Sequence, residues 1–293
     1  MATAKARAKI NLGLDIIGRC DNGYHQLRMV MQSIALSDTV TLKKSVENGD
    51  IVTYTQLLNG KQSPVPDDHS NLAYRAAKLL KVEFGIQNAI EINIEKSIPV
   101  AAGLAGGSSD AAAVLKLMNE EFSLGLTIEK LQEFGLRLGA DIPYCLIGGT
   151  KLAEGIGEKL RPLSPMRPCQ VLLVKPNEGI STAQAYGLYD RASEIEHPNI
   201  DSIIKALEHG DLSSLGQSMG NVLEYVSIPL LPVIKDIKDY LKKSGAYGVM
   251  MSGSGPTVFA IYEKASDMED IALDALANFP EASIIKTEIF NPD

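Results

Sequence analysis

Residues 99–112 (PVAAGLAGGSSDAA) are a glycine- and serine-rich segment that leads directly into an alanine-rich apolar stretch. Its three glycines lack a Cβ, so the backbone can turn sharply there and approach a ligand closely. The pattern predicts a loop followed by a helix, which Ser108 or Ser109 caps. The first amides of such a helix have no partner within it and form a site for an anion such as phosphate. An ordinary glycine-rich turn before a helix has the same pattern.

This loop matches neither of two common nucleotide-binding motifs. No Gly-Lys-Ser or Gly-Lys-Thr closes it, as a P-loop requires, and GLAGGS lacks the Gly-x-Gly-x-x-Gly spacing of dinucleotide-binding folds. If the loop binds phosphate, the cation and the base of a phosphoryl transfer must come from elsewhere in the chain.

The composition excludes several classes of protein. The formal net charge of −8 argues against a broad nucleic-acid surface, because basic patches bind phosphate backbones. No apolar run approaches the ~18 residues of a membrane span, and the N-terminus lacks the continuous apolar core of a secretory signal. The three cysteines are far apart and have no metal-ligand spacing. We therefore expect a cytoplasmic protein with reduced thiols.

Hydrophobic periodicity predicts a mixture of strands and helices. Strands are predicted at 5–16, 39–43, 51–55, 89–95, 150–153, 159–163, 171–174, 248–251, 257–261 and 284–289. Helices are predicted from a cap at Ser70 to Gly85, from Ser108 to about Asn119, from a cap at Thr127 to Leu138, over most of 199–244, and at 267–278. This order predicts an α+β protein of two lobes, with a boundary near 150–165.

Two charged residues are candidates for chemistry. Asp141 lies in the segment GADIP after the predicted end of a helix, where the helix dipole disfavours a negative charge. An acid placed against the dipole indicates a functional carboxylate, and a solvated turn aspartate is the alternative. Lys9 lies in the middle of the first strand on its polar face. Its ammonium could lower the pKa of an aspartate or bind a phosphoryl group, and a solvent-facing edge strand is the alternative.

Two further segments contain small residues near polar or aromatic ones. In GRCDNGYHQLR (18–28), Tyr24 offers an aromatic face for a base and His25 a hydrogen-bonding ring. The alternative is a hairpin turn whose tyrosine packs on the edge of the core. SGSGP (252–256) could bring amides to a second anionic group, or it could be a tight hairpin. No cluster of histidine and cysteine indicates zinc, and no Gly-x-Ser-x-Gly motif indicates an esterase.

Five segments occur together and in order, namely AKINLGL, GRCDNGYHQL, PVAAGLAGGSSDAA, LGADIPYCLIGGTKLAEGIGE and SGSGPTVFA. From about residue 5 to residue 262, the chain closely resembles the GHMP kinase superfamily. Within it, the chain resembles the family of kinases that act on 4-diphosphocytidyl-2-C-methyl-D-erythritol. The glycine-rich loop and SGSGP would indicate only the superfamily. The Gly-Tyr-His and Gly-Ala-Asp-Ile-Pro segments narrow the resemblance to the cytidyl-substrate family.

The resemblance implies a two-lobed GHMP kinase fold. Its N-terminal lobe (1–158) is expected to resemble ribosomal protein S5 and to bind ATP. Its C-terminal lobe (159–293) is expected to be ferredoxin-like and to contribute to substrate binding. The implied reaction transfers the γ-phosphoryl group of ATP to the 2-hydroxyl of the cytidyl substrate, a step of the non-mevalonate isoprenoid pathway.

The resemblance also implies roles for individual residues. Asp141 would orient or deprotonate the hydroxyl, and Lys9 would keep Asp141 ionised and screen the incoming phosphate. The implied substrate contacts are Tyr24 stacked on cytosine, His25 at its hydrogen-bonding edge, Asn11 near the sugar or phosphate, and Thr182 at the erythritol end. The implied ATP contacts are Pro99, Val100, Ala101, Ala102, Gly103, Leu104, Ala105, Gly106, Gly107, Ser108 and Ser109, with Asn71 and Lys96 near the adenine.

The chain departs from the family pattern in two ways. The family often has glycine where this loop has Ala101, Ala102 and Ala105, and a methyl is tolerated there only at negative φ. We therefore expect the amides of 106–109 to meet phosphate. The glutamate that often holds Mg²⁺ in the superfamily has no counterpart that can be placed here. Mg²⁺ is thus expected from the chemistry alone, with Ser108 as a candidate ligand.

Two other functions stay open at this stage. A GHMP kinase for mevalonate phosphates or homoserine is disfavoured by the Gly-Tyr-His segment, because such substrates have no base to stack. A catalytically silent nucleotide-binding protein is disfavoured by the presence of both Lys9 and Asp141. The expected partner is a small molecule, without nucleic acid or membrane, and the expected state is a monomer or weak homodimer.

Overall fold

The computed structural model describes residues 1–21, 23–57, 68–192 and 194–292, so Asn22 of the predicted turn lies outside the described residues. Two long strands begin the chain, β1 (Ala2–Arg19) and β2 (His25–Asn48). Both are longer than the periodicity predicts. In β1 the residues from Ala8 to Ile16 are all buried, on the polar as well as the apolar face. The solvent-facing interpretation of Lys9 is therefore wrong.

Contacts divide the chain into two compact units. The first comprises Met1–Ala8, Leu36–Val100 and Ala105–Gly148, and the second comprises Lys9–Ala35, Ala101–Leu104 and Gly149–Asp293. This division differs from a single boundary after residue 158, because β1 and β2 each contribute residues to both units. The glycine-rich loop is likewise shared, since its central residues 101–104 count with the second unit.

The first unit packs helices on a sheet. Strand β3 (Ile51–Leu57) runs parallel to β4 (Asn88–Lys96), and β4 is antiparallel to the C-terminal part of β2. The helices are α1 (Leu72–Glu83), α2 (Gly106–Glu121), α3 (Ile128–Leu136) and α4 (Ile142–Ile147). Apolar residues of β2, β4, α1 and α2 form one buried core, which fixes the start of α2 relative to the end of β4.

The helix starts correct two predictions. Asn71, not Ser70, caps α1, because its side chain accepts a hydrogen bond from the amide of Ala73 at 2.8 Å. Ser108 and Ser109 do not cap α2, which already begins at Gly106. Thr127 caps α3 as predicted, although that helix ends at Leu136.

The second unit contains an antiparallel hairpin of β5 (Thr150–Gly155) and β6 (Lys159–Pro162). Strand β5 also pairs with the N-terminal part of β2. Four more strands form an antiparallel sheet, namely β7 (Gln170–Lys175), β9 (Gly248–Met251), β10 (Val258–Tyr262) and β11 (Ser283–Glu288). The short strand β8 (Gly220–Asn221) pairs with β1 instead.

The antiparallel sheet of the second unit has the strand order β11-β7-β10-β9. Numbered along the chain this order is 4-1-3-2, and helices follow the first and third strands, which is the ferredoxin-like β-α-β-β-α-β arrangement. The helices are α5 (Thr182–Tyr189), α6 (Ile200–His209), α7 (Leu212–Ser218), α8 (Glu224–Leu230), α9 (Val233–Lys242) and α10 (Glu269–Asn278). Helix α9 contacts β9 and β10, and α10 contacts β11. In the described residues, no helix has the length and apolar character that crossing a membrane requires.

Candidate active site

Lys9 is a buried lysine at the centre of one cluster in the second unit. The residue is 5% exposed, and its Nζ donates a hydrogen bond to Asn11 Oδ1 at 2.5 Å. Its backbone amide donates to the carbonyl of Leu104 at 3.2 Å. A methyl group on Gly253 would lie 3.3 Å from Nζ. The AKINLGL strand, the glycine-rich loop and the SGSGP turn therefore meet around this ammonium.

The charge of Lys9 has no carboxylate partner within ion-pair distance in the described part of the chain. Transfer of an unpaired ammonium out of water is costly, and buried charges are normally paired or bind a ligand. The amide oxygen of Asn11 supplies a dipole but no negative charge. This cluster therefore favours an anion next to Lys9.

The SGSGP turn contacts the loop directly within the second unit. Ser252 Oγ donates to the carbonyl of Gly103 at 3.0 Å. Gly103 has a φ of +71°, and a Cβ there would lie 2.1 Å from the carbonyl oxygen of Ser252. Glycine is thus required at 103 by both the backbone conformation and the close approach. Thr182 at the start of α5 reaches the same turn, since its Oγ1 lies 3.1 Å from Ser254 Oγ.

At the exit of the loop, α2 offers amides that precede its first helical hydrogen bond. That bond joins the amide of Ser109 to the carbonyl of Ala105 at 2.9 Å. The amide of Ser109 is therefore already hydrogen-bonded, so the expectation that all four amides of 106–109 face phosphate is wrong for this residue. The amides of 106–108 come before the first helical bond. The Ser109 hydroxyl also donates to the carbonyl of Arg7 at 2.6 Å.

Two of the loop alanines adopt the backbone conformation that sequence reasoning excluded. Ala101 has a φ of +51° and Ala105 a φ of +58°. The left-handed conformation brings the Cβ of an L-residue close to its own backbone, which costs about 1–2 kcal/mol. The expectation of negative φ at both positions is therefore wrong, and the loop has strained residues near its start and at its end.

We expect Ala105→Gly to raise the free energy of unfolding by about 0.5–1 kcal/mol, because the relief of strain exceeds the extra entropy of glycine in the unfolded chain. Ala102→Gly is the matched control, since Ala102 is buried and is not among the residues with positive φ. It should lower the free energy of unfolding by about 1 kcal/mol. Urea denaturation of both variants checks the pair, and changes of the same sign would contradict it.

Lys96, predicted near the adenine, lies in a buried ionic cluster of the first unit. Its Nζ donates to Asp38 Oδ2 at 2.5 Å and to Asp110 Oδ2 at 2.8 Å. Burial lowers the pKa of Lys96, but the two carboxylates outweigh this effect and raise it overall. Burial raises the pKa of Asp110 to about 7. The ammonium of Lys96 opposes this effect, and the carboxylate of Asp38 adds to it. Sequence reasoning missed both carboxylates. For Asp110 the sequence did contain a signal, because this acid directly follows the two serines of the loop.

Asp141 lies at the N-terminal end of the short helix α4, in the N-cap position. The expectation that it opposes a helix dipole is therefore wrong, because a helix N-terminus favours a negative charge. Its side chain makes no capping hydrogen bond, and the residue is only half-buried. The carboxylate is thus not needed to start the helix. Asp141 and Asn71 belong to the first unit, whereas Lys9 belongs to the second.

His25 lies among aromatic residues of α5 in the second unit. Its ring centroid is 4.9 Å from that of Tyr186 and 6.1 Å from that of Tyr189. His25 Nε2 lies 2.7 Å from Asp190 Oδ1, and the hydrogen bond with His25 lowers the pKa of Asp190. Tyr24 next to it is 60% exposed, so the alternative of a tyrosine packed on the core edge is wrong.

Sequence reasoning missed the contribution of α5 to this histidine environment. The signal was present in TAQAYGLYD, where Tyr186 and Tyr189 are three residues apart and fall on neighbouring positions of one helix face. These residues are about 160 positions from His25, so no local pattern connects them. The arrangement provides an aromatic surface and a polar ring edge, which suits a planar base with hydrogen-bonding groups.

Comparisons with known proteins show the family of this chain. The family model described as GHMP kinases N terminal domain matches residues 71–149, and that described as GHMP kinases C terminal matches residues 203–281. A curated 4-diphosphocytidyl-2-C-methyl-D-erythritol kinase of Clostridium perfringens is 46% identical over 259 residues, which cover 88% of each chain.

Solved structures give the same result. A crystal structure of 4-(cytidine 5'-diphospho)-2C-methyl-D-erythritol kinase matches with a TM-score of 0.80 and 29% identity, over 99% of this chain and 100% of that one. A homoserine kinase of Cytophaga hutchinsonii matches with a TM-score of 0.76 but 19% identity, over 99% and 94% of the two chains, and shares the fold alone.

The protein is a small-molecule kinase with the α+β GHMP kinase fold, as the sequence resemblance predicts. The similarity to the curated relatives extends over nearly nine-tenths of the chain. The chain belongs to the 4-diphosphocytidyl-2-C-methyl-D-erythritol kinase family. ATP is the phosphoryl donor that membership in this kinase family implies.

The side chains near the glycine-rich loop indicate how Mg²⁺ could bind. Among the described residues, no three or more histidine, cysteine, aspartate or glutamate side chains are grouped to hold a metal ion. Asp110, the acid closest in sequence to the loop serines, is already bound to Lys96. Mg²⁺ at phosphoryl-transfer sites keeps several waters and uses one or two protein groups plus substrate phosphates. These residues therefore fit an ion carried by the ATP phosphates, with Ser108 as its candidate protein ligand.

Proposed function

We propose that this chain transfers the γ-phosphoryl group of ATP to the 2-hydroxyl of 4-diphosphocytidyl-2-C-methyl-D-erythritol, in the non-mevalonate route to isoprenoid precursors. The observation that carries the proposal is the buried ammonium of Lys9 beside the glycine-rich loop and the SGSGP turn, which has no carboxylate partner among the residues that the structure describes. Phosphoryl transfer consists mainly of positioning and of neutralising negative charge, and a buried cation supplies the second.

The catalytic roles follow from the chemistry of each side chain. Asp141 would orient or deprotonate the attacking hydroxyl, because its carboxylate has no capping bond to break. Lys9 would neutralise charge that develops on the transferring phosphoryl group. Mg²⁺ would supply further neutralisation when it arrives with ATP, and Ser108 would contact it.

For ATP, we propose that the amides of 106–108 bind phosphate, as part of the predicted set 99–109. Asn71 and Lys96 stay predicted adenine-side residues. Both have structural roles in the fold, since Asn71 caps α1 and Lys96 binds two carboxylates. Their contribution would therefore come through the backbone that they hold in place.

For the cytidyl group, we propose that Tyr24 stacks on the cytosine and that His25 reads its edge. Two observations support this proposal: Tyr24 is 60% exposed, and the bond to Asp190 orients the His25 ring. Asn11 and Thr182 stay predicted contacts for the phosphate or sugar and for the erythritol end. The contact of Thr182 with Ser254 of the SGSGP turn, within the second unit, supports this prediction.

We expect Tyr24→Ala to raise KM for the cytidyl substrate about 10-fold or more, since stacking of a base on an aromatic ring contributes roughly 1–3 kcal/mol. KM for ATP should stay unchanged. Tyr54→Ala is the matched control, because Tyr54 is a similarly exposed tyrosine on β3, in the other unit. Steady-state kinetics with each substrate varied in turn measures both values, and equal effects of the two variants would contradict the role of Tyr24.

A coupled assay for ADP release tests the function itself. Release with the cytidyl substrate, and not with homoserine or mevalonate phosphates, is expected. Release only with another alcohol would show that the proposed substrate is wrong. No release with any alcohol would indicate a catalytically silent nucleotide-binding protein. We also propose that the protein acts in the cytoplasm as a monomer or weak homodimer and binds no nucleic acid.

A further inference from the structure

We propose that Asp38 and Asp110 are positioning residues that hold both ends of the nucleotide-binding loop through the ammonium of Lys96. The inference rests on the proposed function, in which residues 99–109 bind ATP. All three side chains belong to the first unit. None of them is proposed to touch the reacting atoms.

The cluster is fully enclosed. The side chains of Lys96, Asp38 and Asp110 are 3%, 0% and 4% exposed. One ammonium lies between two carboxylates, at 2.5 Å from Asp38 Oδ2 and 2.8 Å from Asp110 Oδ2. Lys96 ends β4, Asp38 lies within β2, and Asp110 lies in the first turns of α2. A strand end, a neighbouring strand and a helix start are thus joined at one point.

Asp38 determines how the chain enters the loop. Its Oδ1 accepts hydrogen bonds from the amides of Ser97 at 2.6 Å and Ile98 at 2.8 Å, the two residues before Pro99. Strand β4 ends at Lys96, directly before these two residues, and the bonds to Asp38 orient their amides. The carboxylate therefore fixes the direction in which the loop begins, while its other oxygen binds Lys96.

Asp110 and Gly106 determine how the chain leaves the loop. Asp110 attaches the start of α2 to Lys96, and a Cβ on Gly106 would lie only 3.2 Å from Lys96 Nζ. The helix start with amides 106–108 is thus held against the same ammonium that Asp38 binds at the entry. Between these two ends lie Ala101 and Ala105, whose strained conformations persist only if the surroundings hold the backbone in place.

The cluster is not built for stability alone. Buried ion pairs lose much of their attraction to desolvation, and apolar side chains of similar volume often replace them at no cost. Here Asp110 Oδ1 is buried and has no hydrogen-bond partner among the described residues, which is a further cost. What the arrangement provides is a fixed position for the loop ends.

The test compares Asp110→Ala with Asp110→Asn. The alanine variant should raise KM for ATP and the Kd of a non-hydrolysable ATP analogue about 10-fold, with kcat at saturating ATP and KM for the cytidyl substrate within about 3-fold. The asparagine variant keeps an oxygen for Lys96 and should restore both constants to within about 3-fold of the wild type. Rescue by asparagine would show that the hydrogen bond to Lys96 positions the loop and that the negative charge of Asp110 is not required.

Two further variants keep the result interpretable. Leu80→Ala removes a fully buried side chain from the same core and should lower Tm without changing the analogue Kd. If Asp110→Ala does not fold, Asp38→Asn provides the test. Its amide nitrogen would face either Lys96 or the amides of Ser97 and Ile98, so the analogue Kd should rise about 10-fold.

The outcomes separate this inference from the proposed function. Failure of the wild type to release ADP would contradict the function, and analogue binding would still report on the loop. An analogue Kd that is unchanged in Asp110→Ala, or one that rises equally in Leu80→Ala, would overturn the positioning role. The same holds if Asp110→Asn fails to rescue while both variants have the same Tm.

Discussion

Replacement of Asp141 with asparagine is expected to lower turnover about 10²-fold or more, while KM for both substrates stays within a few fold. The change removes the group proposed to orient or deprotonate the attacking hydroxyl but keeps its size. Helix α4 should be unaffected, because Asp141 makes no side-chain capping bond. Steady-state ADP release and thermal unfolding of the purified variant measure the two effects separately.

Asp211→Asn is the matched control for this prediction. Asp211 also occupies an N-cap position, where its carboxylate accepts from the amides of Ser213 and Ser214. Asparagine is an equally good cap, so turnover and Tm should both stay near the wild-type values. Wild-type turnover in Asp141→Asn would remove this residue from the mechanism. A large drop in Tm would show that its role is structural.

Replacement of Lys9 with methionine is expected to lower turnover about 10²–10³-fold, the usual effect of removing one preorganised group that stabilises transition-state charge. Stability should stay near the wild-type value, since the removal of a buried ammonium offsets the loss of its hydrogen bond to the buried Asn11 Oδ1. The combination of lower turnover with an unchanged Tm distinguishes a functional lysine from a structural one.

Lys5→Met is the control on the same strand. Lys5 is exposed, and its ammonium bonds only the hydroxyl of Thr39 among the described residues. Turnover should be unaffected in this variant. If Lys9→Met retains activity, or loses it together with stability, the buried ammonium is not the source of charge neutralisation.

Much of the fold was predictable because the patterns that specify it are local. The hairpin of β9 and β10 follows from two apolar runs around SGSGP, and the cap of α3 follows from Thr127 before an amphipathic stretch. The family resemblance, which the comparisons confirm, also rests on short contiguous motifs. Errors fell where neighbouring residues could perform the same function, as with Asn71 in place of Ser70.

The environment of each charged site residue was not predictable from such patterns. Lys9 alternates with apolar residues in the way that a solvent-facing lysine does, yet both faces of its strand are covered. Lys96 has its partner Asp38 58 positions earlier, and His25 has Asp190 165 positions later. Periodicity reports on which face a residue occupies, but not on what covers that face.

The sequence by itself determined the family, the class of chemistry and most of the elements, because glycine spacing, capping residues and hydrophobic period act over a few residues. Only the tertiary structure decided that Lys9 is buried without a carboxylate partner in the described part of the chain, that Lys96 pairs with two carboxylates, and that Ala101 and Ala105 adopt positive φ. Each of these depends on groups that are distant along the chain. Desolvation and pairing are set by the whole packed environment, so no local pattern contains them.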